Sequence, residues 1–180
     1  MITILVAAGD DDKDFFSGLS RMLDKHFVTA RAYGQKLEAG GPFPALMLCD
    51  LKSFKAIDTE KVIVVCKKPE PFTARIKGAS LVVAIVDSSD DELLEHVSAT
   101  RLPAITCGLR SRDTITLSSM APDSAVIDLR RCITCLDGGR AEPQEIPIRL
   151  KNPLDSFLLM AAAAILILSG KTECIKEGFI

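Results

Sequence analysis

Ile2-Thr3-Ile4-Leu5-Val6-Ala7-Ala8-Gly9-Asp10-Asp11-Asp12-Lys13-Asp14-Phe15-Phe16 runs from an apolar, β-type stretch through a glycine turn into the start of an amphipathic helix. A strand, a tight loop and a helix in that order is where α/β proteins hold phosphates. The helix N-terminus offers unpaired N–H groups and the positive end of the helix dipole. A phosphate loop also needs glycines for close backbone approach, a lysine for charge, and a Ser or Thr hydroxyl for magnesium. Gly9 and Lys13 meet that demand. Asp10, Asp11, Asp12 and Asp14 oppose it, because carboxylates crowd a site meant for a polyanion and an aspartate there caps the helix instead. The stretch predicts a nucleotide-type fold with a degenerate phosphate loop.

Outward from this stretch, Phe15, Leu19, Met22 and Leu23 recur at helical spacing and predict a helix over 14–25, weakened at Gly18. Strands are predicted over 27–33, 45–51 (with Asp50 at its end), 61–66, 81–86 and 104–107. Gly40-Gly41-Pro42 reads as a loop, Pro69 and Pro71 stop the fourth strand, and Ser88 or Ser89 is the expected cap of a helix through Asp91 to Val97. Past Gly108 the rhythm changes to strands over 114–118, 125–135 and 145–150, with Asp137-Gly138-Gly139 as the hairpin turn between the last two. Strand–helix alternation followed by hairpins predicts an α/β fold: a mainly parallel sheet flanked by helices, with a small antiparallel β annex. One domain over 1–180 is expected, with a core over 1–110, the annex over 112–150, and a closing helix and tail over 153–180.

The apolar run Phe157 to Leu168 has the length of a core helix and falls short of the roughly 20 residues a membrane span needs. Asn152 as cap, Pro153 at the first position, Asp155 in the first turn and Gly170 past the end frame it. Being apolar on all sides it should be buried, and Ala161 to Ala164 allow close approach of a neighbour.

With 180 residues, 48% of them hydrophobic, the chain can bury one sizeable core. A net charge of −2 and the lack of a basic run with interleaved aromatics argue against nucleic acid and anionic membranes as partners. The chain opens on a strand with no basic leader, so a cytoplasmic location is expected, with six reduced cysteines. Cys132-Ile133-Thr134-Cys135 reads as two ordinary strand cysteines, since residues three apart in a strand face opposite ways. His26 and His96 read as cations near helix ends, and Asp87, Asp90, Asp91 and Glu92 as helix-start capping rather than a metal site. Lys67 and Lys68 at a strand end read as a solvated loop that could hold an anion.

Order and wording together resemble the central, ATP-binding domain of the Mur ligases, the ADP-forming enzymes of peptidoglycan synthesis, and of the related folylpolyglutamate synthases. The family loop G-T-x-G-K-T-T corresponds to Gly9-Asp10-Asp11-Asp12-Lys13-Asp14-Phe15. Leu48-Cys49-Asp50-Leu51-Lys52-Ser53-Phe54 is similar to a family strand ending in a magnesium-binding Glu, which makes Asp50 the candidate metal ligand. Leu102 to Leu109 is similar to the short strand with a T-F-G turn. Phe157 to Gly170 with Lys176-Glu177-Gly178 resembles the closing helix and tail.

The departures from that pattern set the functional expectation. Asp12 stands where the second loop glycine would be, and Asp14 removes the magnesium hydroxyl; like charges a few ångströms from a triphosphate cost roughly several kcal/mol. The family's metal-binding His has no counterpart in Ala84 to Asp91, and its H-N-x-x-N run falls on Leu154-Asp155-Ser156-Phe157-Leu158. No lysine clearly matches the one the family carbamylates, and a chain without the family's flanking domains is expected. The expectation is a non-catalytic binding or regulatory module linked to bacterial cell-wall synthesis, binding ATP and magnesium weakly or not at all, with no cofactor, and working through a protein partner or self-association. A residual ATP-binding ligase domain is one alternative. The other is a response-regulator receiver with an acidic magnesium cluster at Asp10 to Asp12 and phosphorylation at Asp50, although the receiver's Lys-Pro is replaced by Asp87-Ser88. An ion pair of Lys13 with one of the loop aspartates is expected over a bound metal.

Overall fold

The computed structural model describes residues 1–9, 12–71 and 75–178. In chain order its elements begin with β1 (Ile2–Ala7), α1 (Lys13–Asp24), β2 (Thr29–Tyr33), β3 (Lys36–Ala39) and β4 (Leu46–Asp50). β5 (Ile57–Asp58), β6 (Lys61–Cys66), β7 (Ile76–Lys77), β8 (Leu81–Asp87), α2 (Asp91–Thr100) and β9 (Ala104–Cys107) follow. The last part holds β10 (Ile115–Ala121), β11 (Ser124–Leu129), β12 (Ile133–Thr134), β13 (Arg140–Ala141), β14 (Gln144–Arg149) and α3 (Ser156–Leu168). Short tight helices also lie at Leu51–Ser53 and Thr172–Glu177.

Ten of these strands form one sheet in the order β14-β11-β10-β9-β8-β6-β1-β4-β2-β3. From β2 to β10 every neighbouring pair is parallel, and β3 at one edge and β11 and β14 at the other run antiparallel. β1 is therefore central, and alternate side chains serve its two faces: Ile4 and Val6 pack with α1 and α3, while Leu5 and Ala7 join the core under α2. The continuous Val/Ile run of β6 is buried from Val62 to Cys66, as befits a strand covered on both faces.

β10, β11 and β14 continue the main sheet, so the antiparallel part is fused to its edge. The Asp137-Gly138-Gly139 turn closes a smaller hairpin, β12–β13, instead of joining the two long strands expected on either side. The run 125–135 divides into β11 and β12, and between them the Arg130 side chain donates to Asp128 and to the Arg110 carbonyl. The edge strand β3 was absent from the expectation. Its signal was Tyr33-Gly34-Gln35-Lys36, a two-residue hairpin loop with Gly34 at φ +56°, a conformation that favours glycine.

The helix caps also differ from expectation. α3 is capped by Asp155, whose carboxylate accepts from Leu158 N at 2.8 Å, rather than by Asn152 with Pro153 inside the helix. α2 is capped by Asp90 accepting from Leu93 N at 3.1 Å, not by Ser88 or Ser89. Ser88 is buried and donates to Asp113 at 2.8 Å, which takes it out of competition. α3 is buried along its whole apolar length, Phe157 to Leu168, and ends before Gly170, at φ +71°. Among the described residues no helix is long and apolar enough to cross a membrane.

The parallel strands, numbered by their order in the chain, lie second-third-first-fourth-fifth: β2, β4, β1, β6, β8. A receiver domain has second-first-third-fourth-fifth. Here β4 intervenes between β2 and β1, so the receiver alternative does not match the topology.

Candidate functional site

β1 and β4 run side by side with Val6 opposite Asp50, so both strands deliver their carboxyl ends to one edge of the sheet. Ligand sites of open α/β sheets lie outside such ends. Gly9 leaves β1 at φ +84°, and α1 starts four residues later, at Lys13.

Asp12 is the N-cap of α1. One carboxylate oxygen accepts from Phe15 N at 3.1 Å, and the other accepts from Lys67 Nζ at 2.6 Å. Lys67 reaches this position because the chain leaving β6, the other neighbour of β1, is pinned against β1: the N–H groups of Lys67 and Lys68 donate to the Ala7 carbonyl at 2.8 and 3.0 Å. The Lys67 ammonium also lies 4.8 Å from the centroid of the Phe15 ring, which stacks on Phe157 at 5.5 Å and 14°. The helix N-terminus is thus occupied by a carboxylate and a lysine of the chain itself.

Of the ion pairs expected of Lys13, the one with Asp12 is not formed, and those with Asp10 and Asp11 fall on residues outside the described ones. As first residue of the helix Lys13 lines the cleft beside the loop, and among the described residues it makes no ion pair; Lys67 is the partner of Asp12. The cap directs the Asp12 carboxylate back over the helix end toward the β6 side, where Lys67 arrives. The solvated-loop reading of Lys67 is corrected with it. Asp10 and Asp11 lie outside the described residues. Asp14 sits in the first turn of α1, where its charge favours the helix dipole.

A cleft of about 760 Å³ opens along α1. Gly9, Asp12, Lys13 and Asp50 share its loop end, and Arg21 and Arg31 lie farther along. The structure therefore brings together four of the site residues expected from sequence. Asp50 accepts from Lys52 N at 3.2 Å and caps the Leu51–Ser53 turn, so its carboxylate already has a structural task. At the other end Arg31 engages both Asp24 and Ser20, and the Tyr33 hydroxyl donates to Glu38 at 2.6 Å, which raises the phenol's pKa. Arg31 and Tyr33 lie in the strand expected over 27–33 but carry no motif there; the unforeseen strand β3, which pairs with β2 and sets Glu38 opposite Arg31, is what groups the three.

The remaining constellations resolve separately. Asp87 accepts from Ser89 N, Asp90 caps α2 and Asp91 pairs with Arg110 at 2.6 Å, so this acidic run is engaged in capping and pairing. Cys135 is buried and donates to the Ile167 carbonyl at 3.1 Å, whereas Cys132 is half-buried beside Arg140. His96 is in the body of α2 with its Nε2 3.1 Å from the Glu70 carbonyl, not at a helix end. His26 follows α1 as expected; burial first and the Lys25 ammonium second lower its pKa, which works against the favourable helix-end cation.

No protein-family model matches the sequence, and no curated protein matches it. Solved structures do. The UDP-N-acetylmuramoylalanyl-D-glutamyl-2,6-diaminopimelate–D-alanyl-D-alanyl ligase of Acinetobacter baumannii is similar with a TM-score of 0.61 at 13% identity, over 99% of this chain and 45% of that one. The MurF ligase of Thermotoga maritima, in complex with ADP, gives 0.56 at 11% over 94% and 46%. A folylpolyglutamate synthase from the same organism gives 0.54 at 7% over 98% and 57%. The chain spans about half the length of the structures it matches. The chain has the mixed α/β fold shared by the Mur ligases and folylpolyglutamate synthases.

Proposed function

We propose that the chain is a non-catalytic Mur-ligase-like module that works by binding, through a protein partner or a second copy of itself, in the setting of cell-wall synthesis. The observation that carries this reading is Asp12, held between Phe15 N and Lys67 at the N-terminus of α1. A carboxylate there uses the N–H and cationic contacts that a phosphate would need, and repels the phosphate as well. The Phe15–Phe157 stack closes in beside Lys67, and Asp14 supplies no hydroxyl for magnesium. The MurF relative was solved with ADP, and its fold supports a second reading, a residual ATP-binding domain using Gly9, Lys13 and Asp50.

Calorimetry with Mg-ATP separates the two. The non-catalytic reading expects no binding at micromolar ATP, and some recovery in Asp12→Gly/Asp14→Thr. Micromolar affinity in the native chain that is lost in Lys13→Ala supports the residual site and overturns the first reading. For the binding role, co-purification from the host should yield a bound protein or an oligomer. A lone monomer that turns over ATP would defeat it.

A further inference from the structure

His26, Cys174 and Glu177 come from opposite ends of the chain and converge beyond the C-terminal end of α1. One potential ligand atom from each, an imidazole nitrogen, a thiol sulfur and a carboxylate oxygen, lies within 4.8 Å of the other two. We propose that this cluster is a metal site for a thiophilic divalent cation of the zinc class, with three protein ligands and a fourth position open to water.

Two local features build the cluster. Cys174 and Glu177 are three apart on the tight helix Thr172–Glu177, and in a helix of three residues per turn positions i and i+3 eclipse, so both side chains leave the same side. His26 is fixed by the turn that ends α1, where its N–H donates to the Leu23 carbonyl at 2.9 Å. The two segments are also clamped together without a metal: Lys171 Nζ donates to the His26 carbonyl at 2.9 Å, and Lys25 Nζ donates to the Glu177 and Gly178 carbonyls at 3.0 Å each.

The donor set suits the cation. Nitrogen, sulfur and one carboxylate oxygen around a tetrahedral ion is a zinc pattern, and three protein ligands plus water is its open form. Ligand atoms of a zinc ion lie roughly 3–4 Å apart given bonds of about 2.0–2.3 Å, so a small side-chain rotation closes the present spacing. His26 and Cys174 are half-buried and Glu177 is exposed, so the ion has a path in from solvent. Binding requires the Cys174 thiol to lose its proton to solvent, after which thiolate and carboxylate balance the two charges of the ion. The neighbouring Lys25 and Lys171 ammoniums oppose the cation, although both are held on backbone carbonyls. The site would tie the closing segment of the chain to α1.

Titration of the reduced protein with Co²⁺, then Zn²⁺, tests this. The expected result is a sulfur-to-cobalt charge-transfer band that zinc displaces. Tm should also rise by about 5–10 °C at roughly a hundredfold excess of zinc over its Kd. Cys174→Ser should abolish the band, Glu177→Gln should weaken binding at least tenfold, and Cys132→Ser, which alters the other half-buried thiol of the β12–β13 hairpin, should change neither. Absence of both band and Tm shift in the native protein overturns the proposal, as does a band that survives Cys174→Ser or vanishes with Cys132→Ser. The Glu177→Gln variant, at an exposed position, keeps the test decisive should Cys174→Ser fold poorly.

Discussion

Asp12 and Lys67 are 55 residues apart in the chain and meet at 2.6 Å over the first turn of α1. The contact joins the loop after β1 to the exit of β6, and it places one negative and one positive side chain of the protein at the N-terminus of α1. Each side chain retains about a quarter of its exposure, so the pair itself contributes at most about 1 kcal/mol, while the cap on Phe15 N contributes about another.

Asp12→Ala should therefore lower stability by about 1–2 kcal/mol in urea unfolding, and Asp12→Asn, which keeps the cap, by less than half of that. Equal losses in the two variants would mean that the charge, not the cap, carries the effect.

Asp50 caps its own turn and should hold no magnesium. Millimolar Mg²⁺ or Mn²⁺ is expected to leave Tm unchanged, and Asp50→Asn to alter stability by less than about 0.5 kcal/mol, since an amide oxygen can still accept from Lys52 N. A metal-induced rise in Tm that Asp50→Asn removes would restore the metal reading.

Gly108 has no room for a side chain: a Cβ there would collide with Ser88 Oγ and stand 2.8 Å from an Asp113 oxygen. Asp113 is buried and accepts from Ser88 Oγ at 2.8 Å and from Arg110 N at 2.7 Å. Gly108→Ala should cost about 2–4 kcal/mol by prising this network apart, and Ser88→Ala, which removes the clashing oxygen, should make the double variant clearly less destabilised than the sum. Additivity in that cycle would show that the clash is relieved elsewhere.

Burial pushes the Cys49 and Cys66 thiols up to about 12, with Asp50 and Glu70 respectively adding to the rise. Their folded pKa values exceed the unfolded value near 9, so the unfolded chain releases these protons first as pH increases. The stability these two thiols contribute is fully present below pH 9 and should fall between about pH 9 and 12, more shallowly in Cys66→Ala. In the native state a thiol reagent should modify half-buried Cys132 and Cys174 well before Cys49, Cys66 or Cys107. A flat alkaline profile, or early labelling of Cys66, would contradict the burial of these strands.

The sequence by itself determined the elements whose signal is local. The β1–turn–α1 unit, the continuous Val/Ile of β6, and the all-apolar α3 are legible because apolar periodicity and length need no knowledge of neighbours. From them came the α/β fold and the gathering of Gly9, Asp12, Lys13 and Asp50 at one sheet edge. Tertiary structure alone decided which groups meet. Lys67 and not Lys13 neutralises Asp12, because strand order sets β6 beside β1, and nothing within residues 61–68 encodes that adjacency. Ser88 looked like a helix cap and became a buried donor to Asp113, since its partner comes from 25 residues away. His26 gained Cys174 and Glu177 as neighbours only when the last segment packed back on α1. Pairings of this kind depend on long-range packing, whose contacts are set by the sheet as a whole and leave no periodic mark in the residues that make them.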